Sequence, residues 1–255
     1  MDQIERRCSV KMKTVKGGRN IYGVYVGILM LETRFPRILG DIGNASTFSF
    51  PVMYKIVKGA NINRVVIDGD PTLIKDFVAA GKELIRNGVR GLVTSCGFMA
   101  LFQKEISKAL PVPCLCSSLV QIPMVHRITG GKPIGVITAN ASALTPRHFE
   151  GVDAADIPVF IEGIENTSFG QALKNNLDEY EYNEAEEAVV SAAKRLLARN
   201  NDIGAIVFEC TNLPPFATAV KRVTNLPVFD IVTLTRMLYY TLSENSDIDM
   251  ILGRP

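Results

Sequence analysis

Two cysteines stand at matching points of an internal repeat, and few folds accommodate such a pattern. Gly91-Leu92-Val93-Thr94-Ser95-Cys96-Gly97 aligns without a gap on Ala205-Ile206-Val207-Phe208-Glu209-Cys210-Thr211. In each copy an apolar run of strand character ends at a thiol and a helix-like stretch follows. Leu110-Pro111-Val112 matches Leu226-Pro227-Val228 after a two-residue shift, and Val26-Gly27-Ile28-Leu29 loosely matches Ile134-Gly135-Val136-Ile137. The pattern predicts two similar lobes, each presenting one thiol to a shared cleft.

Apolar runs of strand length cover residues 22–31, 65–68, 91–95 and 113–116, then 134–138, 158–161, 205–209 and 228–231. Several are continuous rather than alternating, as in strands buried on both faces of a parallel sheet. Helical patterns lie between many of them. Asp70 and Pro71 suit an N-cap and first helical residue, and Leu73, Ile74, Phe77, Val78, Leu84 and Ile85 form a stripe before Gly88. Residues 183–199 repeat the theme with Ala188, Val189, Ala192, Leu196 and Leu197. Strands alternating with helices imply an α/β fold of two lobes, each a four-stranded parallel sheet flanked by helices. The first lobe is expected over residues 21–119 plus 233–255 and the second over 120–232, with the helix at 233–242 crossing back to the first.

A chain of 255 residues with 47% hydrophobic and 21% charged residues can bury a large core. A net charge of +2 gives no reason to expect nucleic acid or an anionic membrane as partner. Residues 1–20 carry Arg6, Arg7, Lys11, Lys13, Lys16 and Arg19 with no signal-peptide run, which reads as a basic tail. No apolar stretch is long enough for a bilayer. Five cysteines without a secretory signal point to reduced thiols and a cytoplasmic protein.

Ligands of open α/β sheets bind beyond the carboxyl ends of the strands, where Cys96 and Cys210 stand. A thiol at a helix start is expected to have a lowered pKa, from the helix dipole and free N–H groups. Each cysteine alone also suits a small apolar residue at a strand end; their aligned positions favour a functional pair. Cys114 and Cys116 read as structural and Cys8 lies in the tail. No second Cys/His pair with zinc spacing, no phosphate-binding glycine loop and no nucleophile elbow is present, so neither metal nor cofactor is expected. His126 and His148 read as surface or helix-end residues. The long loop after the first strand carries Arg34 and Arg37, either of which suits a bidentate carboxylate clamp; Arg34 is taken as the candidate.

On these motifs the chain resembles the aspartate/glutamate racemase superfamily, which includes glutamate, aspartate and hydantoin racemases, maleate isomerase and arylmalonate decarboxylase. Cys210-Thr211-Asn212-Leu213-Pro214 is similar to the family's second Cys-Thr motif, Thr94-Ser95-Cys96-Gly97 to its first, and residues 135–140 to the strand opening the second lobe. The resemblance covers roughly residues 21–245. It implies Cys96 and Cys210 as catalytic bases, and Thr211, Gly97, Phe98 and Asn140 as substrate-binding residues beside Arg34. It departs where Gly97-Phe98-Met99 replaces the usual polar pair and where Asn212 replaces a histidine. The activity so implied is cofactor-independent racemisation or epimerisation of an amino acid or related carboxylate, with glutamate not preferred. The alternatives are cis–trans isomerisation of a dicarboxylate through a cysteine adduct, or a non-catalytic binding relative. A small carboxylate is the expected partner, and a homo-oligomer is compatible with the chain.

Overall fold

The computed structural model describes residues 17–243. Residues 1–16 of the expected tail, Cys8 among them, and 244–255 of the expected first lobe lie outside the described residues. Two four-stranded parallel sheets are built on one plan. The first runs in the order β2-β1-β3-β4, from β1 (Val26–Leu31), β2 (Val52–Val57), β3 (Gly91–Thr94) and β4 (Cys114–Leu115). The second runs β6-β5-β7-β8, from β5 (Ile134–Thr138), β6 (Val159–Gly163), β7 (Ala205–Phe208) and β8 (Val228–Phe229). Helices α1 (Ile74–Arg86), α2 (Gln103–Ala109) and α3 (Ile122–Ile128) follow the strands of the first half. In the second half come α4 (Pro146–Gly151), α5 (Ser168–Lys174), α6 (Tyr182–Arg199), α7 (Ala217–Thr224) and α8 (Ile231–Leu242).

The repeat is carried in the register. Val26 pairs with Gly91 as Ile134 pairs with Ala205, and Leu92 pairs with Cys114 as Ile206 pairs with Val228. Leu92 N–H donates to Pro113 O and Ile206 N–H to Pro227 O. Pro113, not Pro111, is therefore the counterpart of Pro227, and the halves match here without the expected two-residue shift. β3 and β7 are buried along their whole lengths, which explains their unbroken apolar character.

One expected strand is replaced. Residues 65–68 do not form one: Asn63–Ile67 is a short π-type helical turn, and the edge strand is β2. β2 is mostly half-exposed and includes Lys55, so it lacks the continuous apolar run of a central strand. Elsewhere the patterns lead to the observed elements. Asp70 caps the short helix Pro71–Leu73 that leads into α1, accepting from Thr72 N–H, and Leu73, Phe77 and Leu84 are buried. The helix expected at 183–199 is α6, with Ala185, Ala188, Val189, Ala192 and Leu196 inward.

The chain passes between the sheets twice. After β4 it runs through residues 118–132, and after β8 it enters α8, whose Ile231, Leu234 and Leu238 pack with Val26, Ile28 and Val93 of the first sheet. A Cβ at Gly91 would lie 2.6 Å from Leu242 Cδ1 and 3.0 Å from Leu238 Cδ2, so glycine lets α8 lie close over β3. The two passages are joined by Gln121, whose Nε2 donates to Ser118 O and to Asp230 O, both at 3.2 Å. Asp230 caps α8, accepting from Thr233 N–H at 2.7 Å. No helix of the described residues is long and apolar enough to cross a membrane.

Candidate active site

Each central ladder continues one residue past its strand. Ser95 N–H donates to Leu29 O at 2.9 Å and Glu209 N–H to Ile137 O at 2.8 Å. The chain then turns at Cys96 and at Cys210, and the two turns abut. Thr211 Oγ1 donates to Ser95 O at 2.6 Å, and Ser118 Oγ donates to Phe208 O. A Cβ on Gly97 would fall 2.0 Å from Glu209 O and 2.3 Å from Glu209 Oε1. Only glycine allows this approach, and the Glu209 carboxyl fills the space that a side chain at position 97 would need.

Both thiols line one cavity of about 70 Å³ between the lobes. Gly97, Phe98, Asn140 and Thr211 share its wall with the two cysteines, so the structure gathers these candidates in one place. Phe98 is buried and packs edge-on against His148, whose ring lies in the capping box of α4. Asn140 Oδ1 accepts from Ser142 Oγ and Ala143 N–H, capping the turn that follows β5. The hydroxyl proton of Thr211 is committed to Ser95 O, so a bound carboxylate meets that oxygen as an acceptor. Arg34 is not brought in: its side chain is 67% exposed and paired with the equally exposed Asp178. Arg37 is the arginine of the wall. Its guanidinium donates to Asp41 Oδ1 at 3.1 Å and Thr33 Oγ1 at 2.9 Å, and lies 4.5 Å from the centre of the Phe35 ring. Cys114 and Cys116 lie in the core with sulfurs 3.8 Å apart, away from the cavity wall.

The thiols are harder to ionise than a helix-start position suggests. Burial raises Cys96 to about 12, and the Glu209 charge adds to it; N–H donation from Phe98 and Met99 and the Arg37 charge oppose the shift. Burial likewise raises Cys210 well above the usual thiol range, with Glu209 again reinforcing and Asn212 N–H opposing. The expected lowering is overturned because desolvation outweighs a few amide donors. Glu209 itself is fully buried, and burial raises it to about 8 against hydrogen bonds from Thr138 Oγ1 and Ala139 N–H.

Sequence reasoning missed Glu209, Asp41, Asn212 and Glu165. Asn212 Oδ1 accepts from Cys210 Sγ at 3.5 Å while its Nδ2 donates to Asp41 Oδ2 at 2.7 Å. Glu165 lines the cavity, and its Oε2 is buried with no hydrogen-bond partner. Two of these carried a signal: Glu209 is an acidic residue closing an apolar strand, and Asn212 stands where the resemblance has a histidine. Among the described residues no group of three or more His, Cys, Asp or Glu side chains is placed to hold a metal ion.

The architecture matches solved structures at low identity. A liganded double mutant of arylmalonate decarboxylase superposes with a TM-score of 0.59 at 13% identity, covering 86% of this chain and 92% of that one. The aspartate racemase of Picrophilus torridus gives 0.55 at 15% identity, covering 86% and 94%. Glutamate racemase from Francisella tularensis gives 0.52 at 16%, covering 88% and 82%. The fold is thus one shared with arylmalonate decarboxylase and with aspartate and glutamate racemases. No family model matches the chain.

Sequence relatives correct the expected activity. Dimethylsulfoniopropionate lyase 7 of Emiliania huxleyi is 32% identical over 231 residues, which cover 86% of this chain and 67% of that protein. Lyase 3 of the same species is 31% identical, but the match spans only 60% of its length. The dimethylsulfoniopropionate lyase of Durusdinium sp. clade D is 30% identical over 223 residues, covering 84% and 73%. These relatives are lyases, not racemases or isomerases. The racemase expectation, which rested on two thiols in a shared fold, is overturned: the same frame serves more than one chemistry. At this identity over most of its length, the chain belongs to the family of the dimethylsulfoniopropionate lyases, a family of enzymes.

Proposed function

We propose that the protein is a lyase that splits dimethylsulfoniopropionate into dimethyl sulfide and acrylate by β-elimination. The observation that carries this reading is the relationship to the lyases over more than four-fifths of the chain, which includes both cysteine turns. A cysteine thiolate takes a proton from the carbon next to the substrate carboxylate. The C–H electron pair becomes the new C=C bond, the carbon–sulfur bond breaks, and its electrons leave with neutral dimethyl sulfide. The proton stays on the thiol and returns to solvent before the next turnover.

The electrostatics of the cleft suit this substrate. With burial holding both thiols protonated, a thiolate needs added positive charge beside it. A sulfonium brings that charge, so the substrate helps to activate its own base. Glu165 supplies an acidic group on the wall for the cationic end, and Arg37 a positive one for the carboxylate. Departure of a neutral sulfide removes the attraction to Glu165 and favours release.

The test is to incubate the purified protein with dimethylsulfoniopropionate and measure headspace dimethyl sulfide by gas chromatography and acrylate by NMR. Equimolar products are expected, with a primary isotope effect when the α-carbon carries deuterium. Absence of dimethyl sulfide across pH 5–9 would sink the reading.

A further inference from the structure

The two halves of the repeat solve one local problem in different ways. Ser95 and Glu209 occupy equivalent positions, each following the buried strand that pairs with the first strand of its sheet. Leu31 N–H donates to Ser95 Oγ at 2.9 Å. In the second half the counterpart of Leu31 is Ala139, whose N–H donates to the Glu209 carboxyl, and Thr138 Oγ1 donates to Glu209 Oε2 at 2.6 Å. A hydroxyl is enough for the backbone in the first half. The second half uses a fully buried carboxyl whose other oxygen, Oε1, has no hydrogen-bond partner. Glu209 also lines the cavity that both thiols line.

We propose that Glu209 is a neutral carboxylic acid whose Oε1–H is the hydrogen-bond donor for the carboxylate of a ligand in the cleft. Oε2 accepts from Thr138, so the proton belongs on Oε1. The titratable and charged groups around it are Cys96 from the facing turn, Cys210 beside it, and Arg37, Glu165 and Lys174 on the cavity wall. Burial keeps the proton on Glu209 up to a pH of about 8. In the elimination, negative charge builds on the substrate carboxylate as the α-proton leaves, and a fixed donor stabilises it there. That catalytic role, and acrylate as the ligand, rest on the lyase reading above; the protonation of Glu209 does not.

The experiment measures acrylate binding by calorimetry between pH 6 and 9.5 for the wild type, Glu209→Gln and Glu209→Ser, with infrared difference spectra of each. Glutamine keeps both an acceptor for Thr138 and a donor, and it does not titrate. Serine copies the first half of the repeat and lacks the reach. The wild type should show a protonated carboxyl band that Glu209→Gln lacks. Its acrylate affinity should fall roughly tenfold per pH unit above about 8, while that of Glu209→Gln stays flat. Glu209→Ser, folded by circular dichroism, should bind acrylate about tenfold more weakly at pH 7. Its kcat on the sulfonium substrate should drop by about 10²-fold or more. Equal pH profiles for wild type and Glu209→Gln, no acrylate binding to the wild type, or unweakened binding in Glu209→Ser would each overturn the proposal. A wild type that binds acrylate as expected yet releases no dimethyl sulfide would refute the lyase reading alone.

Discussion

Asn212 Nδ2 donates to Asp41 Oδ2 at 2.7 Å, tying the second cysteine turn to the loop that follows β1. With its nitrogen so held, Asn212 must turn Oδ1 towards the Cys210 thiol. Asp41 Oδ1 accepts in turn from Arg37 and from Gly43 N–H. One buried carboxylate thus orients an amide beside one thiol and a guanidinium on the cavity wall.

Asp41→Ala should cost about 3 kcal/mol of stability, because it leaves the Arg37 charge largely buried without its partner. Urea denaturation would measure this. Arg34→Ala, which removes an exposed ion pair, should cost less than about 1 kcal/mol. Similar losses in the two variants would mean that the Asp41 network does not hold the loop.

Cys96→Ala and Cys210→Ala should each lower kcat/KM for dimethyl sulfide release by about 10²-fold or more, since each thiol faces the reacting cleft. Cys114→Ala and Cys116→Ala should remain within a few-fold of wild type. Retained turnover in both cleft variants would remove the thiols from the mechanism.

Glu165→Gln should raise KM for the sulfonium substrate about tenfold and change kcat less, because it removes an attraction present before the chemical step. Acrylate, which has no cationic end, should bind this variant at least as well as wild type. Steady-state kinetics and product inhibition separate the two cases, and an unchanged KM would dismiss Glu165 as the cation site.

Glu209 gives a stability signature independent of turnover. Its folded value of about 8 lies above the ordinary 4.5, so the folded state holds this proton more tightly than the unfolded one. That stabilising contribution is full below pH 4.5 and is lost as pH rises to about 8. Wild type should therefore lose up to about 1.4 kcal/mol per pH unit relative to Glu209→Gln across this window. Denaturation midpoints of the two proteins that run parallel from pH 5 to 8 would show that the group does not titrate there.

Much of this frame was legible in the sequence, because β3 and β7 are buried on both faces and had to be continuous apolar runs ending at the cysteines. The edge strand β2 was not: half-exposed and interrupted by Lys55, it lacks the pattern that made 65–68 look like a strand. At the site, both cysteines, Gly97 and Thr211 were visible as members of the repeat. Arg37 could not be told from Arg34 by residue type, since the difference between them is which way the loop turns. The thiol pKa was misjudged because desolvation is a property of the closed cleft, which no local motif records. The substrate was also out of reach, since one frame serves more than one chemistry.

The two passages of the chain between the sheets lie side by side, joined through Gln121 to Ser118 and Asp230. The seam between the halves is therefore stitched in two places: at these connections, and at the cysteine turns, where Thr211 bonds to Ser95 O and Asn212 to Asp41. With a row of stitches on either side, the distance between the two thiols is set by the backbone of both halves at once.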